Sequence, residues 1–324
     1  MSHSIDSSAS SAACAIGIDV GGTKIAGGVV ALRTGEVLAR RSIPTGAARG
    51  GAAVLDDALA LADDLRTRAR ELGVAVQGIG VGIPELVDLE GNVTSEHAIA
   101  WRGALVQERF SRLAPAVIES DVRAHALAEA RFGAGRPFGL FVFVTVGTGI
   151  SSCLVQDGRP YAGARGNALI LASSPVTTMC TECGAVLRPV LEEFASGPAL
   201  VARYNKATGR QIARGEEIIA AVDAGDLIAT EVVRTSGEAL GVSIGWLVNV
   251  LDPEAVIVGG GLGSAGGLYW DSMVASTRAH IWADTSRDLP IIPAALGPDA
   301  GMIGAAVSVR CQYAETSRIS GERR

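Results

Sequence analysis

Three stretches of this 324-residue chain place glycines where a strand would end, and each could hold phosphate. They are Asp19-Val-Gly21-Gly22-Thr23-Lys24, Thr145-Val-Gly147-Thr148-Gly149 and Gly259-Gly260-Gly261-Leu-Gly263. Glycine leaves backbone N–H groups open to phosphate oxygens, because no Cβ stands in the way. Thr23, Thr145 and Thr148 add hydroxyl donors, and Asp19 could hold Mg2+ through water. None of the three has the spacing of a Walker loop or of a dinucleotide fingerprint. Any one alone is as well read as a strand-ending turn, the usual place for glycine. Three in series through the chain make coincidence a poor account. Asp121 is the other residue with chemistry in reach. It follows the short apolar run Ala116-Val-Ile-Glu119 and opens a helical pattern, so by itself it reads first as an N-cap.

These residues need strands to carry them. Ala15 to Val20 is an apolar run into Gly21-Gly22, and Ile25 to Val30 resumes the strand pattern, with Gly35 to Ala39 as a third strand. Leu55, Leu59, Ala62, Leu65, Ala69 and Leu72 recur at helical spacing. Ile79 to Ile83 makes a further strand closed by Pro84. Past Trp101 the pattern starts again: the strand at Ala116, a helix from Asp121 through Ala134, a strand from Phe138 to Val146, and Ile150 to Val155 as its hairpin partner. Asp157-Gly158 is the next turn. Helices dominate from Leu187, the strand Ala255 to Val258 runs into Gly259-Gly260-Gly261, and a helix begins near Gly301. Two α/β units, each opening on strands that turn on glycines, predict a duplicated two-lobed fold with a cleft, although no close sequence repeat is visible.

Composition bounds the partners. Apolar residues make up 48%, enough for two cores, and the formal net charge of −6 offers no footprint for nucleic acid or anionic membrane. The 41 glycines with only 4% aromatics suit helices lying close on sheets. Five cysteines, an odd and sparse set, fit a reducing cytoplasm and no disulfide framework. The Ser- and Ala-rich first fourteen residues lack a signal-peptide pattern and read as a disordered leader. No apolar run is long enough to span a bilayer.

The ordered set Asp19-x-Gly-Gly-Thr-Lys24, Glu119-x-Asp121, Thr145-Val-Gly-Thr-Gly149, Asp252-Pro, Gly259-Gly-Gly261 and Ala295-Leu-Gly-x-Asp-Ala-Gly-x-Ile-Gly-Ala305 resembles the ROK kinases, bacterial sugar kinases of the actin-like ATPase superfamily. The resemblance implies a ribonuclease H-like fold with central mixed sheets. A small lobe over 15–117, completed by a helix at about 301–316, would face a large lobe over 118–300, with residues 317–324 as a flexible tail. It implies ATP and Mg2+ as cofactors. The first two loops would take the ATP phosphates, and Gly259, Gly260 and Gly261 would lie against the adenosine. Asp121 would accept the proton of the attacking hydroxyl, and homo-oligomers are common. The family's repressors carry a helix-turn-helix ahead of the first loop. Only eighteen residues precede Asp19 here, so none is expected.

The departures lie on the acceptor side. The family's Glu-x-Gly-His reads Ile170-Leu-Ala-Ser173, the Asn beside the catalytic Asp is Ser120, and Asn-Leu-x-Trp is Ala98-Ile-Ala-Trp101. Glu192 remains where the family has a sugar-binding Glu. The zinc motif keeps Cys180 and Cys183 at altered spacing, too few for a four-ligand site, so no metal is expected there. Packing of Val186, Leu187 and Leu191 would hold that loop instead. Ser151 and Ser152 replace glycines after the second loop. His97, His125 and His280 lack ligand spacing and read as surface or packing residues. A pocket without the Glu and the His should bind glucose poorly. A C7-cyclitol of the 2-epi-5-epi-valiolone type, phosphorylated on its exocyclic hydroxyl, fits better than glucose or kanosamine. A non-catalytic sugar-binding regulator is the reading from another class, and the retained base and phosphate loops argue against it.

Overall fold

The computed structural model of the chain describes residues 13–179 and 183–321, of which 312–321 by backbone only. The chain divides into two compact units, one running to Ala128 and resuming at Asp299, the other spanning Glu129–Pro298.

In the first unit β1 (Cys14–Val20), β2 (Lys24–Ala31) and β3 (Val37–Pro44) form an antiparallel meander. Helix α1 (Gly51–Glu71) follows and buries Val54, Leu55, Ala58, Leu61, Ala62, Leu65 and Ala69, the stripe that the spacing predicts. Next come β4 (Val76–Ile83), α2 (Val106–Ser111), β5 (Ala116–Ser120) and α3 (Asp121–Phe132). The sheet order is β3-β2-β1-β4-β5, with β1, β4 and β5 parallel. Because β5 pairs with β4 from Ile79↔Ala116 to Ile83↔Ser120, it and the first two turns of α3 belong to this unit, which therefore ends beyond the expected residue 117.

The second unit opens with β6 (Leu140–Val146), β7 (Ile150–Gln156) and β8 (Arg159–Pro160). The turn into β8 has Asp157 and Gly158 both at positive φ, 50° and 71°, as the Asp-Gly pair predicts. A small hairpin of β9 (Thr178–Met179) and β10 (Val186–Leu187) comes before the helices, so these start at Leu191 and not at Leu187. Val186 and Leu187 are exposed in it and do not pack the loop, whereas Leu191 is buried. The helices are α4 (Leu191–Ala195), α5 (Gly197–Thr208), α6 (Gly215–Asp223) and α7 (Leu227–Leu251). Then follow β11 (Ala255–Gly259), α8 (Gly267–His280), α9 (Asp284–Arg287) and β12 (Ile291–Pro293). The sheet order is β12-β11-β6-β7-β8, an antiparallel meander beside parallel strands. That is the order of the first sheet over again, so the duplication expected from the glycine turns is a duplication of topology.

Helix α10 (Ala300–Gly321) returns to the first unit and packs on β1 and β4. Its close approach depends on glycine on both sides. A Cβ on Gly17 would land on the Met302 carbonyl, one on Gly80 on the Ala305 carbonyl, and one on Gly304 on the Ala124 carbonyl of α3. The helix continues past residue 316, where the tail was expected to begin, because no proline or glycine stops it before Gly321. No helix among the described residues is long and apolar enough to cross a membrane.

Candidate active site

Asp19 is the sixth residue of β1 and faces Gly82 of β4 across a parallel pair. A Cβ on Gly82 would stand 3.8 Å from both Asp19 Oδ1 and Asp121 Cα, so the two aspartates flank the same residue of β4. Asp121 heads α3, and its Oδ1 accepts the Val122 N–H at 2.6 Å. That bond reaches only the next residue and is not the N2 or N3 contact of an N-cap, and it leaves the second oxygen for chemistry.

Burial pushes the Asp121 carboxyl up to about 6. His125 opposes that shift, the negative charges of Asp19 and Glu85 add to it, and the Val122 N–H opposes it. Burial likewise raises Asp19, against the pull of His125 and Lys24. A carboxylate near pH 6 is well matched to take a proton at neutral pH. His125 lies one turn along α3 with Nδ1 2.7 Å from the Asp121 carbonyl oxygen. It is thus an electrostatic neighbour of both aspartates and not a plain surface residue. The i,i+4 spacing from Asp121 was the signal available for it.

Glu85, just past β4, is a second group that the sequence reading passed over. It is 4% exposed and accepts from Ser95 Oγ and from the N–H groups of His97, Ala98 and Ile99 at 2.9, 2.6 and 2.8 Å. Burial works to raise its carboxyl, but these hydrogen bonds outweigh it and hold it below the ordinary glutamate value. Its stabilising effect is therefore present above the unfolded pKa and is lost as pH falls through the folded one. Glu85→Gln, which turns an amide N–H2 toward donors, should cost roughly 2 kcal/mol at pH 7 by chemical denaturation. It should also flatten the acid side of the stability profile. Glu85 thereby fixes the segment leading to Trp101. Trp101 itself departs from expectation: it is 1% exposed and its Nε1 donates to the Gly51 carbonyl at 2.7 Å, so it is a core residue and not an acceptor-facing one.

The first loop is the β1–β2 turn, with Gly22, Thr23 and Lys24 exposed and the Gly21 N–H bonded to the Lys24 carbonyl at 2.9 Å. Buried Thr45 braces it, its N–H donating to the Thr23 carbonyl at 3.0 Å and its Oγ1 to the Gly21 carbonyl at 2.6 Å.

In the second unit Thr145 lies near the end of β6, and Gly147, Thr148 and Gly149 form the β6–β7 turn, with Thr148 exposed. The third loop is tied to it, for the Val146 carbonyl accepts from Leu262 and Gly263 at 3.0 and 3.1 Å. Gly260 sits at φ 83° against that same carbonyl, a place only glycine can fill. Gly259 is buried and Gly261 exposed. Glu192 on α4 accepts the Ile150 N–H at 2.8 Å. Ile170 is 45% exposed, and Ser173 donates to the Ile170 carbonyl at 2.9 Å. Ser152, in place of a glycine, donates to the Leu169 carbonyl at 2.7 Å, where Leu169 holds φ 57°. Ser120 is 6% exposed at the end of β5 in the first unit. The structure thus groups Asp19, Lys24, Ser120 and Asp121 in one unit, and Thr145 to Gly149, Gly259 to Gly261, Ile170, Ser173 and Glu192 in the other.

Asp19 and Asp121 are both pushed up by burial, and the charge of Asp19 adds to the shift of Asp121, so the pair is a hard-oxygen donor set that a cation would relieve. No group of three or more metal-ligating side chains occurs among the described residues, and Cys180 lies outside them. Mg2+, which takes one or two carboxylates together with substrate phosphates, fits the aspartate pair.

Two sheets of one strand order, with glycine loops at the ends of β1, β6 and β11, define an α/β protein of the actin-like ATPase fold. The chain is similar over its length to the ROK hexokinase of Thermus thermophilus, at TM-score 0.78 and 29% identity, covering 93% of this chain and 99% of that one. The ROK glucokinase of Streptomyces griseus in complex with glucose and AMPPNP superposes at TM-score 0.76 with 29% identity, over 92% of this chain and 99% of that one. The glucokinase of Streptomyces coelicolor is 28% identical over 90% of this chain and 96% of its own. The ROK family profile matches residues 15–311, and the chain belongs to that family.

Proposed function

We propose that this protein is an ATP-dependent carbohydrate kinase that phosphorylates the exocyclic primary hydroxyl of a sugar-like polyol, with a C7-cyclitol of the 2-epi-5-epi-valiolone type as acceptor. The observation that carries the kinase reading is Asp121, a carboxylate near pKa 6 at the head of α3 beside Asp19. Asp121 would take the proton of the acceptor hydroxyl as its oxygen attacks the γ-phosphorus and the bond to the β-bridging oxygen breaks. Asp19 would hold Mg2+, which supplies charge neutralisation on the phosphates. The backbone N–H groups of the first and second loops would bind the phosphates. The S. griseus relative, in complex with glucose and AMPPNP, supports ATP as donor and a sugar-like acceptor.

The cyclitol is supported by what stands at the acceptor side. Ile170 and Ser173 replace a carboxylate and an imidazole, and neither offers glucose a charged hydrogen bond. ADP release with Mg2+-ATP should be measured across glucose, kanosamine, N-acetylmannosamine and 2-epi-5-epi-valiolone. The expected kcat/KM for the cyclitol exceeds that for glucose by about tenfold or more, one charge-assisted hydrogen bond's worth. Equal or faster turnover of glucose would establish a glucokinase, the reading favoured by likeness to the Streptomyces glucokinases. Silence across the panel would point to a regulator that binds sugar without turnover.

A further inference from the structure

Glu192 occupies the place of a sugar-binding carboxylate, yet the structure engages it elsewhere. Its Oε2 accepts the Ile150 N–H at 2.8 Å, and a Cβ on Gly149 would stand 2.7 Å from that same oxygen. At the other end of the turn, the Gly197 N–H at the start of α5 donates to the Gly147 carbonyl at 2.9 Å. The α4–α5 corner therefore grips the Gly147–Ile150 turn at both ends. A five-residue helix such as α4 has little stability alone. Here its carbonyls are bolted down. Phe194 accepts from Ser236 Oγ and from the Arg203 guanidinium, both at 3.1 Å, and Ala195 accepts from the buried Tyr269 hydroxyl at 2.8 Å. The Arg203 guanidinium also lies 3.8 Å over the Phe194 ring.

We propose that Glu192 is a positioning residue of the second phosphate loop, resting on the kinase reading above. Glycine on both sides of Thr148 leaves that turn free to sample many conformations. The charge-assisted bond to Ile150 fixes the Gly149–Ile150 peptide plane, and with it the direction in which the loop presents its N–H groups to nucleotide. Gly149 has no Cβ to push the Glu192 carboxylate aside, which leaves that oxygen free to reach the Ile150 N–H.

The test is calorimetric titration of the full chain with AMPPNP and Mg2+ in the absence of acceptor. E192A should bind about tenfold more weakly, the effect of one charged hydrogen bond. E192Q, whose amide oxygen can still accept from Ile150, should stay within about threefold of wild type. Amide exchange over residues 147–150 should speed up in E192A and not in E192Q. Should E192A fail to fold, E192D, too short to reach the Ile150 N–H, replaces it. Nucleotide affinity and exchange unchanged in E192A, with only the acceptor KM raised, would overturn the proposal in favour of direct acceptor contact. A wild-type protein that binds no AMPPNP would overturn the kinase reading, and the exchange rates would still decide whether Glu192 holds the loop.

Discussion

Asp121→Asn should lower kcat by about two to four orders of magnitude while leaving nucleotide affinity near wild type. The substitution keeps the shape and the acceptor oxygen that takes the Val122 N–H, and removes only the basicity. A structural role would predict the reverse, a loss of stability with activity retained per folded molecule. The raised carboxyl adds a second readout. Its folded value of about 6 lies above the ordinary 3.8, so the folded state takes up a proton before the unfolded chain does. Its contribution to stability is full below the unfolded value and is lost as pH rises through about 6. Above that pH the wild type holds a buried negative charge next to Asp19, and Asp121→Asn should melt higher than wild type. Wild-type kcat/KM should rise through the same pH as the base becomes free. An inactive variant that also melts lower would reduce Asp121 to a structural residue.

Gly80→Ala should cost about 3 kcal/mol or more, at the upper end of overpacking penalties, or prevent folding. The added methyl would meet the Ala305 carbonyl in the backbone of α10, and a backbone atom has no rotamer by which to move aside. The same helix is held at Gly17 and Gly304, so it cannot slide away from Gly80 without losing those contacts. Gly22→Ala is the control. It has no neighbour within 4 Å of the new methyl and should change urea stability by less than about 1 kcal/mol. A Gly80→Ala protein with near-normal stability would mean that α10 tolerates displacement from the sheet.

Much of the fold was legible because buried parallel strands leave a plain signal. Ile16, Ile18 and Val20, or Ile79, Val81 and Ile83, are apolar runs that end in turn residues, and all are buried. The α1 stripe and the Asp157-Gly158 hairpin were equally direct. The boundary between units was not legible, since the assignment of β5 depends on which strand it pairs with, and pairing partners leave no mark in a five-residue run. Trp101 was misplaced for a related reason. An aromatic residue reads the same whether it faces a ligand or the core, and only the Gly51 carbonyl opposite its indole N–H decides between them.

The sequence by itself determined the three glycine loops, the aspartate at the head of a helix and the kind of chemistry they can do. Residue type and local spacing are sufficient for those. The tertiary structure alone decided that Glu85 organises the chain before Trp101, that His125 is an electrostatic neighbour of both aspartates and that Glu192 bonds to a loop 42 residues away. A carboxylate's role is set by which donors surround it. Those donors come from segments that are brought together only when the sheets form.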